Sequence, residues 1–407
     1  MYVASRPVPV AGPKPRGGRI SGTVLALGTV SLLTDVSAEM VTAFLPVYLL
    51  YTLQVGYVQF GLLDGLYNGA TAILRLVGGY TSDRIGRPKF VALFGYGISA
   101  VTKVLFPLVG GSALGIGGVL AVDRAGKGLR TAPRDALISF VTPPAQLGRA
   151  FGVHRAMDTV GALLGPLLTF LLLAKLGSSP TPVFVVSFCF ALLGLIVLAA
   201  FVRERPVPAG RPKLSLRRGL GVLRDRTFRR AWIAASLLGL VTISDAFVFV
   251  VLQKVAGVPI GLLPLLPLGT ALVFLLAAAP LGALADRVGR WPVFFAGHVL
   301  LLLVYCALLL PGGGYPMVGA VLLAHGVFYA CTDGVLMAYA GSLVPESARG
   351  TGMAVLQTGQ AVARLSSSLV FGFLLAGLAT GTAVLVLAVA MAVTLAVTGP
   401  LVRERAR

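Results

Sequence analysis

The sequence predicts an all-α membrane protein with twelve transmembrane helices in two pseudo-symmetric six-helix bundles. Three observations carry this expectation. Of 407 residues, 57% are hydrophobic and only 12% are charged, about half the charged share of an ordinary soluble chain. The apolar residues fall in runs of about 20, the length that crosses the hydrocarbon core of a bilayer as a helix. A charged turn, Gly79-Tyr-Thr-Ser-Asp83-Arg84-Ile-Gly86-Arg87, returns half a chain later as Gly282-Ala-Leu-Ala-Asp286-Arg287-Val-Gly289-Arg290. Gly, Asp, Arg, Gly and Arg recur in register, so two related halves are expected.

The chain opens on a tail (1–19) rich in Pro, Gly and Arg, read as disordered, basic and cytoplasmic. The apolar stretch behind it is about 30 residues long, too long for a cleavable signal core. Spans are expected at 21–51, 57–79, 89–110, 113–138, 149–174 and 181–202, forming a bundle over 20–202. A cytoplasmic linker follows at 203–230, with Pro206, Pro208, Pro212 and ten Lys or Arg. Spans at 230–255, 261–283, 291–311, 315–343, 350–377 and 379–402 then form a second bundle over 231–402, closed by a basic cytoplasmic tail (403–407).

Orientation follows from where the cations sit. One side of the alternation holds the N-terminal tail, Arg84, Arg87, Lys89, Arg149, the linker, Arg287, Arg290, Arg349 and the last arginines. The opposite loops carry only Lys175 and Lys254 at their edges. Both termini are therefore expected in the cytoplasm, on a multi-pass protein of the cell (inner) membrane. The formal net charge of +20 reflects this topology and attraction to anionic lipid, not nucleic-acid binding, because the basic residues share no face. Cys189, Cys306 and Cys331 lie far apart in apolar runs, without metal or disulfide spacing, and are read as buried inert thiols.

Within the repeated turn, Gly86 and Gly289 are expected to adopt positive φ and reverse the chain between antiparallel helices. Arg84, Arg87, Arg287 and Arg290 anchor it on the cytoplasmic side. Asp83 and Asp286 are out of place at a positive border, so each either holds a specific partner or caps the next helix. Pro46, Pro107, Pro133, Pro166, Pro264, Pro267 and Pro280 interrupt apolar spans and are expected to kink them.

Taken together, these features resemble the major facilitator superfamily of secondary transporters, over roughly Thr23–Val402. Gly79-x-x-x-Asp83-Arg84-x-Gly86-Arg87-x-Lys89 is similar to the family's cytoplasmic signature between helices two and three. The second-half copy ends in Trp291-Pro292 instead of a basic residue. Arg124-x-x-x-Gly128 resembles the family's fourth-helix motif. Gly161-x-x-x-Gly165-Pro166 resembles its antiporter motif, although Thr169 and Phe170 replace the closing glycine pair, which weakens an inference of antiport. The polar segments Thr34–Met40, Asp123–Ala136 and Gly152–Asp158 resemble a bacterial permease or multidrug-efflux-like branch. The resemblance implies alternating access around a mid-membrane cavity lined by the first, fourth, seventh and tenth helices. It also implies that the signature Asp latches the cytoplasmic side, with Arg130 and Arg134 as candidate partners of Asp83.

Ionisable groups inside a membrane helix cost about 2.5–3.5 kcal/mol each on insertion scales, so they mark partners or a wet cavity. The first half holds most of them. Asp35 and Glu39 share one face of the first helix, one turn apart. Two carboxylates so close in low dielectric resist ionising together, which suits a proton carrier; the alternative is a static network with Arg124 or Lys127. Asp123 either carries protons or pairs with Lys127, and Arg124, pointing about 100° away from Asp123, is expected to reach the cavity. His154 and Asp158 form a proton relay or a helix clamp, with Arg155 alongside. Candidate cavity residues are therefore Arg124, Lys127, Arg155, Asp245 and Asp333, the last two alternatively bonding only to a neighbouring helix.

Function classes narrow accordingly. No nucleophile–base set or multi-histidine cluster accompanies the His154–Asp158 pair, so an enzyme is not expected, and no metal or other cofactor is called for. The absence of a Gly-x-x-x-x-Gly-Lys-Ser/Thr sequence disfavours ATP-driven pumping within this chain. The expected activity is proton-coupled efflux of a small organic compound. The alternative is proton-coupled uptake of a polar or anionic solute, such as a metal chelate, a siderophore or an organic acid, favoured by the membrane-depth Arg and Lys. Expected partners are that small molecule, protons and lipid, with the chain as a monomer.

Overall fold

The computed structural model describes residues 21–67, 85–110, 112–143, 146–177, 179–203, 221–310, 312–344 and 349–401. They are almost wholly helical. Helix α1 (Gly22–Pro46) starts where the Ser21 hydroxyl accepts from the Thr23 amide at 3.3 Å. Pro46 has no N–H to give, and the helix continues beyond it as a π-helical turn, Val47–Thr52. Then come α2 (57–67 among the described residues), α3 (Pro88–Leu108), α4 (Ala113–Val141), α5 (Leu147–Leu176) and α6 (Thr181–Phe201).

The second half is less regular than its sequence suggests. Asp225 caps α7 (Arg226–Leu240), accepting from the Phe228 amide at 2.8 Å, so this helix begins inside the expected linker. The seventh span, expected as one helix, breaks at 241–244 and restarts as α8 (Asp245–Ala256). The tenth breaks likewise between α11 (Gly314–Thr332) and α12 (Val335–Leu343). Buried backbone freed by such breaks must find partners inside a membrane. The Tyr305 hydroxyl supplies them for the first break, donating to the Val241 carbonyl at 3.0 Å and accepting from the Ile243 amide at 3.1 Å. At the second, Gly334 takes φ +71°, and the Asp333 amide still reaches the Tyr329 carbonyl at 2.8 Å. The remaining helices are α9 (Leu266–Val288), α10 (Arg290–Ala307), α13 (Arg349–Gly377) and α14 (Thr380–Leu401).

Among the described residues, ten helices or helix pairs are long and apolar enough to cross a membrane. The second and fourth expected spans are not among them. Residues 68–84 of the second lie outside the described residues, and the fourth carries Asp123, Arg124, Lys127, Arg130, Arg134 and Asp135. Large apolar side chains such as Leu276, Leu303, Phe373 and Val389 stand exposed on the outer surface, which lipid chains would cover. Cys189 and Cys306 are exposed too, contrary to the expectation of burial, while Cys331 is buried; all three are free thiols.

Packing repeats between the halves. In the first, α1 packs on α5 and α6, and α3 on α4 and α6. In the second, α7 packs on α13 and α14, and α10 on α11 and α14. Gly86 and Gly289 take φ +68° and +102°, as the repeated turn requires. Contacts between first-half and second-half residues lie toward the helix ends remote from those turns. The Tyr51 hydroxyl donates to Gln253 Oε1 at 2.6 Å, Lys254 donates to Tyr57, and Phe60 meets Phe247 edge-on at 4.9 Å. At the opposite end, a separate apolar cluster of Val24, Leu27, Tyr96, Leu137 and Leu198 involves first-half residues alone.

Candidate functional site

Helix α1 meets α5 without intervening side chains. A Cβ on Gly161 would stand 2.5 Å from the Leu32 carbonyl, and one on Gly165 would stand 2.7 Å from the Cβ of Glu39. One turn further, the Thr169 hydroxyl donates to the Met40 carbonyl at 3.1 Å. The expected antiporter-like glycines thus form a small-residue stripe on α5. It fits against α1 where Asp35 and Glu39 project. Thr169, at the departure from that motif, continues the same contact. Asp35 and Glu39 are each half-buried and make no hydrogen bond or ion pair among the described residues. Lys127 on α4 is the foremost opposite charge acting on both.

Glu39 opens onto a cavity of about 260 Å³ that it lines with Asp245, Phe249, Phe274, Tyr329 and Asp333. A smaller chamber adjoins it and shares Thr42, Pro46, Asp245, Ala246 and Tyr329; its wall also includes Asp64, Tyr67, Arg364 and Ser368. Both helix breaks deliver a carboxylate here. Asp245 is the first residue of α8, and Asp333 ends α11. Asp245 accepts a 2.5 Å hydrogen bond from Tyr329, and His325 Nε2 lies 3.6 Å from the same oxygen. His325 Nδ1 in turn lies 3.4 Å from the Thr270 hydroxyl. Across the halves, Ser368 donates to Asp64 at 2.8 Å.

Tyr329 and Thr270 have no place in the sequence reading, while Asp64, His325 and Arg364 count there only as ionisable groups at membrane depth, without an assigned role. A signal was present: His325, Tyr329 and Asp333 are spaced four apart, a polar stripe on one face of α11.

Buried charges of the first half depart from expectation in their pairing. Asp123 does not turn to Lys127. It holds Lys103 at 2.7 Å, Thr102 at 3.1 Å and Arg124 Nε at 3.1 Å. Arg124 is not directed freely into the cavity: it folds back on Asp123 and stacks 3.8 Å over the ring of Tyr67. A guanidinium in low dielectric takes the nearest carboxylate and the nearest aromatic face, and helical spacing alone does not reveal which these are. Arg130 lies 4.3 Å over the Tyr96 ring. Arg134 joins Asp135 at 2.9 Å and Ser31 at 3.0 Å. Their expected partner Asp83 lies outside the described residues, with Gly79 and Arg84.

His154 and Asp158 approach to 3.4 Å, with Arg155, largely exposed, 3.8 Å from the same carboxylate. His154 Nε2 and Asp158 Oδ1 are buried with no hydrogen-bond partner among the described residues. In the second copy of the turn, Asp286 caps nothing; it pairs with Arg290 at 3.0 Å, and Arg290 also donates to the Ala338 carbonyl at 2.9 Å. No cluster of His, Cys, Asp or Glu among the described residues could hold a metal.

A cavity lined by helices from both halves is the arrangement of a solute carrier. The sequence model of the Major Facilitator Superfamily matches residues 27–368 and 266–406. The chain belongs to the major facilitator superfamily. Among its relatives is the MFS-type transporter MJ1317 of Methanocaldococcus jannaschii, 32% identical over 87% of this chain and 89% of that one. The fosmidomycin resistance protein of Escherichia coli is 25% identical over 85% of each chain. In fold, this transporter is similar to the nucleoside transporter NupG (TM-score 0.80, 14% identity, covering 94% of this chain and 100% of that one). It is also similar to a bacterial homologue of the lysosomal transporter Spinster in an inward-facing, unoccupied conformation (TM-score 0.70, 17% identity, covering 93% and 94%). Family and fold together make this a multi-pass membrane transporter of small molecules, not an enzyme.

Proposed function

We propose that the transporter is a proton-coupled secondary carrier working by alternating access, and that it exports a small organic compound. Its twelve spans form two six-helix bundles, 20–202 and 231–402, with both termini and the 203–230 linker in the cytoplasm of a cell whose inner membrane it crosses as a monomer. The repeated packing pattern supports the bundles, and the Lys/Arg-rich loops support the orientation. With inter-half contacts at the ends remote from those loops, the conformation is read as open to the cytoplasm.

The observation that supports proton coupling is Glu39, a carboxylate on the cavity wall with no hydrogen bond or ion pair among the described residues, one turn from Asp35. A proton carrier must be reachable from the cavity and must not be locked in an ion pair. Asp123 is locked in this way, and Glu39 is not. Uptake of an anionic solute is less favoured, because Lys103, Arg124, Arg130 and Arg134 are engaged with first-half acids, hydroxyls and rings, which leaves Lys127 and Arg364 as its support.

The test uses purified transporter in proteoliposomes, screened for solutes under a proton gradient of either sign. Glu39→Gln is expected to lower gradient-driven accumulation at least tenfold while counterflow exchange continues at saturating solute, and Asp35→Asn to do so more weakly. Unchanged gradient-driven transport in both variants would refute proton coupling through α1. For the latch, Asp83→Asn is expected to hold the outer side closed. A Gln253→Cys reporter, in a background without Cys189, Cys306 and Cys331, should then react at least threefold more slowly with an impermeant maleimide. An unaltered rate removes Asp83 from the latch.

A further inference from the structure

We infer that the central cavity takes an amphipathic organic cation. This rests on the transporter reading above and adds the chemistry of its cargo. Among the described residues, the larger chamber is lined by Glu39, Asp245 and Asp333, with no Lys, Arg or His on its wall. The smaller one adds Asp64 and a single described cation, Arg364. Four described carboxylates thus face one lining guanidinium. Lys127 and, after it, Arg124 act on Glu39 from α4 without lining either chamber.

The sequence alone gives the opposite impression, since the first half is crowded with membrane-depth Lys and Arg. Among the described residues, Lys103, Arg124 and Arg130 stand off the wall of both chambers. Lys103 and Arg124 close on Asp123, and Arg130 closes on Tyr96, all within the first-half helices. Arg155 is exposed and lies outside the wall of both chambers. Arg364 stands beside the Tyr329 ring, 5.9 Å from its centroid.

The carboxylates are mounted among aromatic and apolar surface, namely Phe249, Phe274 and Tyr329, with Leu263 and Pro267 beside them. Aromatic faces attract a cation whose charge is spread and poorly hydrated, and the acids supply the opposite charge. A simple inorganic cation would demand an oxygen cage that aromatic walls do not provide. An organic anion would lie against Glu39, Asp245 and Asp333 in low dielectric, where like charges repel strongly. Proton exchange follows from the same geometry: a cation and a proton both neutralise Glu39, so the arrival of one displaces the other.

The probes are benzyltrimethylammonium and benzenesulfonate, which share a ring and differ in the sign of the charge. Binding is measured by equilibrium dialysis to the full transporter in nanodiscs, and transport in proteoliposomes. The ammonium is expected to bind, with affinity weakened at least tenfold in Glu39→Gln and in Asp245→Asn. Glu39→Asp should retain binding, and melting temperatures report that each variant is folded. Preference for the sulfonate, absence of ammonium binding at millimolar concentration, or ammonium binding indifferent to both neutralisations overturns the inference. Proton-driven movement of the sulfonate would do so while leaving the coupling reading intact. Ammonium binding without any response to a proton gradient supports the cavity chemistry and refutes the coupling.

Discussion

Replacing Gly165 with valine is expected to abolish transport and to destabilise the transporter. At this position α5 touches α1 through backbone. A Cβ would fall 2.7 Å from the Cβ of Glu39, 2.9 Å from the Met40 amide nitrogen and 2.9 Å from the Val36 carbonyl. None of these is the far end of a flexible side chain, so the helices must separate. Overpacking of a close helix contact costs about 1–3 kcal/mol, and the two valine methyls add to what one Cβ demands. The separation also displaces Glu39 and breaks the Thr169–Met40 hydrogen bond one turn on. Transport in proteoliposomes should therefore fall at least tenfold, with a lower melting temperature in detergent. Gly152→Ala is the matched control. It lies on the same helix with nothing within 4 Å of its Cβ position, and alanine there should be neutral or raise stability by about 0.5–1 kcal/mol through helix propensity. Equal behaviour of the two substitutions would show that the α1–α5 contact is not the constraint described.

The Gly161–Gly165 stripe was legible as a close-approach signal, because four-residue spacing of small residues has one structural use in a membrane helix. The turn glycines were legible for the same kind of reason: Gly86 and Gly289 sit where a short reversal needs positive φ. Where the helices are described, their limits lie within about five residues of the expected spans, because hydropathy reports bilayer thickness. The breaks at 241–244 and 333–334 were not legible. Val241-Thr-Ile-Ser244 is as apolar as the helices around it, and the group that compensates the break, the Tyr305 hydroxyl, lies more than sixty positions away along the chain. Pairing was hidden for the same reason. Helical spacing offers Lys127 to Asp123, but Lys103 on the neighbouring α3 is the side chain that arrives. The acidic character of the cavity was therefore masked by arginines and lysines whose partners are set by tertiary packing.

That masking bears on what Asp123 does, and Asp123→Asn is expected to remove folded protein instead of uncoupling it. The carboxylate is 1% exposed and lies between Lys103 and Arg124, themselves 2% and 3% exposed. Neutralising it strands two cations in low dielectric with one amide between them. Breaking a buried ion pair by removing one partner costs about 3–5 kcal/mol, enough to erase much of the stability of a typical folded domain. Size-exclusion profiles and melting temperatures should register this loss before any transport assay does. The double variant Asp123→Asn/Lys103→Met should recover part of it, since one stranded cation is gone and Arg124 keeps its stacking on Tyr67. Glu39→Gln, which strands no hydrogen-bonded or ion-paired group among the described residues, should melt much more like the parent while losing proton drive. The two carboxylates lie on neighbouring helices and are equally conspicuous in the sequence, yet the same neutralising substitution should read out as stability at one and as coupling at the other. An Asp123→Asn protein that folded normally and lost only its proton drive would return Asp123 to the coupling pathway, and the Lys103–Asp123–Arg124 cluster would then be a switching element instead of a brace.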